Sequence, residues 1–185
     1  MTVPNALSGL RLLLAPALLL LAWFQFANWF IPVLILAFVL DLVDGPIARR
    51  FDQVSAFGAR IDSWADFSIY VSFVVGAWWL WPDVVRREWP YIASVAASVL
   101  VPVAFGVLKF GKPTSLHTWM VKAGAVTMAP SAILLFLAGP AWPFHAATVI
   151  CIAAAIEESI IVWLLPRPRS NVKSVVHVLR DRRGR

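Results

Sequence analysis

Apolar residues run along this chain in six blocks, each close to twenty residues long and each closed by polar, proline or charged positions. The blocks lie at about 7–26, 29–48, 60–81, 89–108, 119–138 and 144–165, separated by Ala27-Asn28, Arg49 to Ala59, Pro82 to Glu88, Lys109 to Thr118 and Gly139 to Pro143. At about 1.5 Å per residue, a helix crosses roughly 30 Å of hydrocarbon in about 20 residues. The pattern therefore predicts an all-α integral membrane protein with six transmembrane helices in one bundle, neighbours in sequence running antiparallel through short connections. Residues 1–166 form the expected membrane domain and 167–185 a basic C-terminal tail. In that tail Val172, Val175, Val176 and Leu179 recur at near-helical spacing among the charges, which predicts a surface amphipathic helix on anionic headgroups.

Composition supports the bilayer as solvent. With 61% hydrophobic and 14% charged residues over 185 positions, and a mean hydropathy of +0.79, the chain carries more apolar surface than a water-soluble core of its size buries. A soluble enzyme, a disordered chain and a nucleic-acid module are excluded. The single cysteine, Cys151, can form no intrachain disulfide. Met1-Thr2-Val3-Pro4-Asn5 lacks the basic region and cleavage pattern of a removable signal, so the first block is expected to stay in the membrane. With a cytoplasmic N-terminus, fourteen of the sixteen Lys and Arg residues, Arg11 among them, fall on the cytoplasmic side, leaving Arg86 and Arg87 outside. That bias places both termini in the cytoplasm. Trp29, Trp78, Trp79, Trp81, Trp89 and Trp142 fall near the outer ends, as an aromatic belt does.

Four of the ten acidic residues sit where apolar residues are expected. Asp41, Asp44, Asp62 and Asp66 fall inside or at the edge of the second and third blocks. Counted from the block ends, Asp44 lies about 9 Å and Asp41 about 13 Å deep, and Asp66 reaches a similar depth. Spacings of three and four put each pair on one helix face, and the two consecutive helices allow these faces to meet. Four carboxylates converging in a poorly solvated place protonate or repel unless cations neutralise them. Carboxylate oxygens suit hard divalent ions, and two ions of charge +2 balance four carboxylates, so a binuclear Mg²⁺ or Mn²⁺ site is the natural reading. Helix capping, or pairing with Arg49 and Arg60, accounts for one or two of the aspartates but not for the set.

The run Asp41-Leu42-Val43-Asp44-Gly45-Pro46-Ile47-Ala48-Arg49, eight further residues, then Gly58-Ala59-Arg60-Ile61-Asp62-Ser63-Trp64-Ala65-Asp66 resembles the signature of the CDP-alcohol phosphotransferase family at every fixed position. Pro4-Asn5-Ala6-Leu7-Ser8-Gly9-Leu10-Arg11 is similar to that family's opening motif, with Ser8 where threonine is commoner. The residue-level match covers mainly 4–66, and length and span count resemble bacterial phosphatidylglycerophosphate synthase-like members.

The resemblance implies transfer of a substituted phosphate group from a CDP-linked donor to an alcohol, with release of CMP. It implies that Asp41, Asp44 and Asp62 hold one ion, that Asp62 and Asp66 help hold a second, and that Asp66 takes the proton from the acceptor hydroxyl. Asn5, Ser8, Asp41, Asp44, Gly45, Arg49, Ser55 and Gly58 fall at positions that bind the CDP donor. Each has a simpler reading: close helix packing for Gly45 and Gly58, snorkelling for Arg49, helix capping for Asn5, Ser8 and Ser55.

For the acceptor, Lys109, Lys112, His117 and Lys122 gather cations beside hydroxyls between the fourth and fifth blocks, suiting a phosphate. Ordinary cytoplasmic loops carry lysines too, and His117 also suits an interfacial hydrogen bond. Glu157 and Glu158, about 12 Å from the end of the sixth block, suit either a partner for Arg49 or a lysine, or a cationic acceptor such as an amino alcohol. The leading expectation is a phosphatidyl transferase in a bacterial inner membrane, its site facing the cytoplasm, acting on CDP-diacylglycerol and a small polar alcohol, glycerol 3-phosphate first. Serine, an inositol phosphate or a second lipid remain open as acceptors, as does a CDP-choline or CDP-ethanolamine donor with diacylglycerol. A cation or proton transporter is a different class, but it would scatter ionisable groups across both leaflets or show inverted repeats. Membrane lipids and a homodimer through lipid-facing spans are the expected partners, with no nucleic acid.

Overall fold

The computed structural model describes residues 3–51, 55–111, 118–165 and 174–175. These residues form seven helices and no strand: α1 Val3–Trp23, α2 Ala27–Arg50, α3 Ala56–Leu80, α4 Pro82–Arg87, α5 Trp89–Phe110, α6 Trp119–Phe136 and α7 Trp142–Leu164. Helices α1, α2, α5, α6 and α7 are each long and apolar enough to cross a membrane, which makes this a multi-pass membrane protein. The remaining long helix, α3, has 25 residues, but Arg60, Asp62 and Asp66 interrupt its apolar character. The short α4 occupies what the sequence pattern reads as a connector. Asp83 in its first turn and Arg86 and Arg87 in its last oppose the helix dipole at both ends. Exposed Leu13, Leu20, Leu108 and Val126 present the apolar outer surface that lipid covers. The tail proposed as an amphipathic helix lies outside the described residues except Ser174 and Val175.

The chain divides into two compact units, residues 1–85 and 86–185. In the first, α1 packs against both α2 and α3, while α2 and α3 touch each other little. The buried positions of α1 are Ser8, Arg11, Ala15, Leu18 and Ala22, a single stripe at helical spacing. Phe30, Ile31, Leu34 and Ala37 on α2, and Ala65, Ile69, Ser72 and Ala77 on α3, complete the core. Alanines on these stripes let the helices approach closely. Closest of all is Gly76, where a Cβ would stand 2.4 Å from the Phe30 ring. Gln25 turns α1 into α2 with a φ of 61°, and its side-chain amide donates to the carbonyls of Ala22 and Trp79.

In the second unit α7 packs against α5 and α6. Gly124 on α6 meets Cys151 on α7, whose Sγ would be 3.1 Å from an added Cβ. Ile161, Val162 and Leu165 form a buried cluster flanked by Phe110, Leu164 and Val175. Lys109 donates to the Val162 and Trp163 carbonyls at 2.9 and 2.6 Å, placing a cation on the C-terminal end of α7. At the opposite ends of α5 and α7, buried Glu88 accepts from Arg87 Nε at 3.0 Å and shares a 2.7 Å hydrogen bond with His145 Nε2. Tyr91 stacks on the His145 ring with centroids 3.7 Å apart. This clasp joins the starts of two helices that pack together.

Burial works to raise the Glu88 pKa, but the hydrogen bonds from His145 and Arg87 outweigh it and hold the carboxyl below its ordinary value. A depressed folded-state pKa stabilises the fold fully above the unfolded value, near 4.3, and the contribution disappears as pH falls through the folded value. Glu88→Gln should therefore lower the melting temperature at pH 7 by an amount equivalent to about 1–3 kcal/mol. The gap to the unsubstituted protein should start to narrow as pH falls below the ordinary Glu value and close as it passes the lower folded value. Thermal melts of both proteins across pH 3–7 check this, and a gap independent of pH would contradict it.

Candidate active site

The stripe that makes the core of the first unit changes character along its length. From Ala22 to Ala15 the buried face of α1 is apolar; one turn further, it carries Arg11 and then Ser8, 2% and 3% exposed. The same change occurs on α2, from Ala37 to Asp41 and Asp44, and on α3, from Ala65 to Asp62. All three helices thus deliver polar groups to one end of their shared packing surface.

Four carboxylates and one guanidinium meet there. Arg11 Nη1 lies 2.9 Å from Asp41, 3.4 Å from Asp44 and 2.9 Å from Asp62, and Nη2 is hydrogen-bonded to Asp66. Ser8 Oγ donates to Asp44 at 3.4 Å. The side chains of Arg11 and Asp44 are 2% and 9% exposed, whereas those of Asp41, Asp62 and Asp66 are 46%, 39% and 43% exposed. Arg11 and Asp44 form a closed floor, and the other three aspartates form an open rim. One oxygen from each rim aspartate lies within 4.8 Å of the others. Such an all-oxygen set is the donor chemistry that Mg²⁺ and Mn²⁺ prefer, so the residues fit a divalent site on the open side.

The sequence pattern allows the aspartate faces of α2 and α3 to meet directly. In the structure they do: an oxygen of Asp41 on α2 lies within 4.8 Å of oxygens of Asp62 and Asp66 on α3, and Arg11 of α1 reaches both pairs. Arg11 was legible only as a topology arginine and a fixed position of the opening motif. The stronger signal was its place inside a span otherwise free of charge, Asn5–Trp23.

A second polar group lies in the same unit. Ser55, extended at φ −140° and ψ 152°, caps α3 by accepting from Gly58 N, which fixes Asp62 about two turns and Asp66 about three turns into the helix. Asn5 Oδ1 is buried with no hydrogen-bond partner among the described residues. A Cβ on Gly58 would stand 2.7 Å from that oxygen and 3.0 Å from Ser55 Oγ. Asn5, Ser55 and Gly58 therefore pack against one another, and a side chain at position 58 would collide with the Asn5 and Ser55 oxygens. Gly45 and Arg49 lie in the last turns of α2.

The residues singled out for the acceptor belong to the second unit. Lys109 is bound to the α7 carbonyls, and Lys122 lies over the Trp119 ring at 5.2 Å. Glu157 accepts the Val175 backbone N–H at 3.1 Å through Oε1, while its Oε2 is buried and unpartnered among the described residues. Lys112 and His117 lie outside the described residues.

The family model described as CDP-alcohol phosphatidyltransferase matches residues 1–163, and the chain belongs to that family. It is 30% identical over 171 residues to the cardiolipin synthase (CMP-forming) of Streptomyces coelicolor, covering 88% of this chain and 78% of that one. It is 29% identical over 198 residues to a Mycobacterium tuberculosis protein named "Probable phosphatidylglycerophosphate synthase", covering 96% and 81%. Over 78 residues it is 40% identical to the CDP-diacylglycerol–glycerol-3-phosphate 3-phosphatidyltransferase of Cereibacter sphaeroides, covering 40% and 35%. No solved structure matches the chain. The protein is thus a membrane transferase of phospholipid synthesis.

Gly58→Ala tests whether this contact serves a nucleotide, as the resemblance implies. The added methyl should push Asn5 aside and weaken CDP binding about tenfold, with the melting temperature little changed. Calorimetric titration with CDP reads the effect, and an unaltered affinity would separate Asn5 and Gly58 from any nucleotide site.

Proposed function

We propose that the protein transfers the phosphatidyl group of CDP-diacylglycerol to a hydroxyl of a small polar alcohol, glycerol 3-phosphate first, at a site built from Asp41, Asp44, Asp62 and Asp66. The observation that carries this reading is the convergence of the four carboxylates, three of them on an open rim. Asp41, Asp44 and Asp62 would hold one divalent ion and Asp62 and Asp66 a second. Bound there, the ions would screen the donor pyrophosphate and stabilise CMP as it departs.

The chain's own residues do the rest. Asn5 would offer its buried oxygen to the donor, and the absence of a side chain at Gly58 leaves room for the Asn5 amide itself. Ser8 orients Asp44 from the floor. Gly45 and Arg49 would serve the nucleotide, a glycine by allowing close approach to backbone and an arginine by forking onto pyrophosphate or ribose. Asp66 accepts the proton of the acceptor hydroxyl as its oxygen bonds to the phosphorus bearing diacylglycerol; the bond from that phosphorus to CMP breaks, and CMP leaves with the electron pair.

Glycerol 3-phosphate as acceptor is supported by the printed names of relatives from Cereibacter sphaeroides and Pseudomonas fluorescens. The relative named cardiolipin synthase (CMP-forming), matched over most of both chains, favours a second reading in which the acceptor is itself a phospholipid. Six spans with both termini in the cytoplasm and the site on the cytoplasmic face of a bacterial inner membrane complete the proposal, as does a homodimer.

Asp66→Asn should lower kcat about 100-fold or more while CDP still binds, and EDTA should abolish turnover until Mg²⁺ or Mn²⁺ is restored. CMP release from CDP-diacylglycerol, measured with glycerol 3-phosphate, serine, inositol phosphate and phosphatidylglycerol in turn, assigns the acceptor. Turnover in EDTA, or a normal kcat for the Asp66 variant, would refute the assigned roles.

A further inference from the structure

Arg11 is a cation already present where the carboxylates meet. Its side chain is 2% exposed and lies within ion-pair distance of all four aspartates. Nη1 has two hydrogens and three carboxylate neighbours, so its hydrogens cannot serve all three at full strength. Nε is buried with no hydrogen-bond partner among the described residues. A guanidinium placed only to make good hydrogen bonds would use Nε in its planar fork. This one is placed for charge. Among the described residues four carboxylates face this one guanidinium, so anionic charge is in excess where the helices meet. The rim oxygens that Arg11 engages on Asp41, Asp62 and Asp66 belong to the three residues whose ligand atoms crowd together. A divalent ion entering from the open side meets those oxygens already in use by a cation below.

We propose that Arg11 is the resident counter-cation of the aspartate site: it holds the four carboxylates together when no divalent ion is bound, and it competes with that ion for the rim oxygens. The proposal rests on the reading of the four aspartates as a divalent-metal site. Arg11 is a positioning residue in this scheme and has no part in the chemical step. Removing its charge has two opposite consequences. The metal-free first unit loses the clasp between α1, α2 and α3, and the divalent ion gains affinity. A residue that merely supported the fold would give the first consequence without the second.

The experiment uses the full chain in detergent, with Mn²⁺ as probe, its free concentration read by electron paramagnetic resonance, and melting followed in EDTA and in Mn²⁺. Arg11→Gln should bind Mn²⁺ about tenfold more tightly or better. Its melting temperature in EDTA should fall well below that of the unsubstituted protein and recover in Mn²⁺. Mn²⁺ affinity equal to or weaker than that of the unsubstituted protein overturns the proposal and leaves the metal reading standing. Absence of Mn²⁺ binding in both proteins overturns the metal reading and this proposal together. Should Arg11→Gln fail to fold even with Mn²⁺, Arg11→Lys decides: an ammonium keeps the charge but cannot engage all the rim oxygens at once, so Mn²⁺ should bind more tightly than to the unsubstituted protein. An equal or weaker Mn²⁺ affinity overturns the proposal.

Discussion

The first unit depends on one electrostatic arrangement, a buried guanidinium surrounded by carboxylates from two other helices. A lone charge in a helix interface costs several kcal/mol, and four like charges a few ångströms apart cost more. Neither Arg11 nor the aspartates can be there alone. Together they explain why α1 packs against both α2 and α3: the helix that supplies the cation must reach both helices that supply anions. Packing agrees with the charges, since the stripe bearing Arg11 also bears Ala15, Leu18 and Ala22. Small side chains bring the helices close enough for the polar ends to touch.

Open rim and closed floor divide the labour of the site. Arg11 and Asp44 are shielded and fixed, with Ser8 holding Asp44 from the side. Asp41, Asp62 and Asp66 are about half exposed, which leaves oxygen lone pairs free to take ligands from outside. A shielded floor and an accessible rim are what a site taking charged ligands from outside requires. Packed against Gly58, Asn5 carries a buried oxygen with no partner among the described residues.

Much of this was legible in the sequence because two periodicities carry it. Runs of about twenty apolar residues mark the long helices, and spacings of three and four put Asp41 with Asp44 and Asp62 with Asp66 on common faces. Arg11 was less legible because an arginine near the end of an apolar run also satisfies the charge bias of membrane topology, and sequence alone does not say which way it points. The packing of α1 against both aspartate helices is a tertiary fact without a local signal. Lys109 shows the opposite difficulty: as a loop cation it suited a phosphate, whereas its ammonium closes the end of α7. Helix α4 went unread because its six residues are too few for a periodicity.

The separation in sequence between Arg11 and its partners bears on biogenesis. Asp62 and Asp66 follow Arg11 by 51 and 55 positions, so a growing chain presents the arginine to the insertion machinery before either exists. A charged residue at the centre of a span costs about 2.5–3.5 kcal/mol at insertion, and the ion pairs that compensate Arg11 are complete only once the third helix has been made. Translation thus separates a cation from half of its counter-charge.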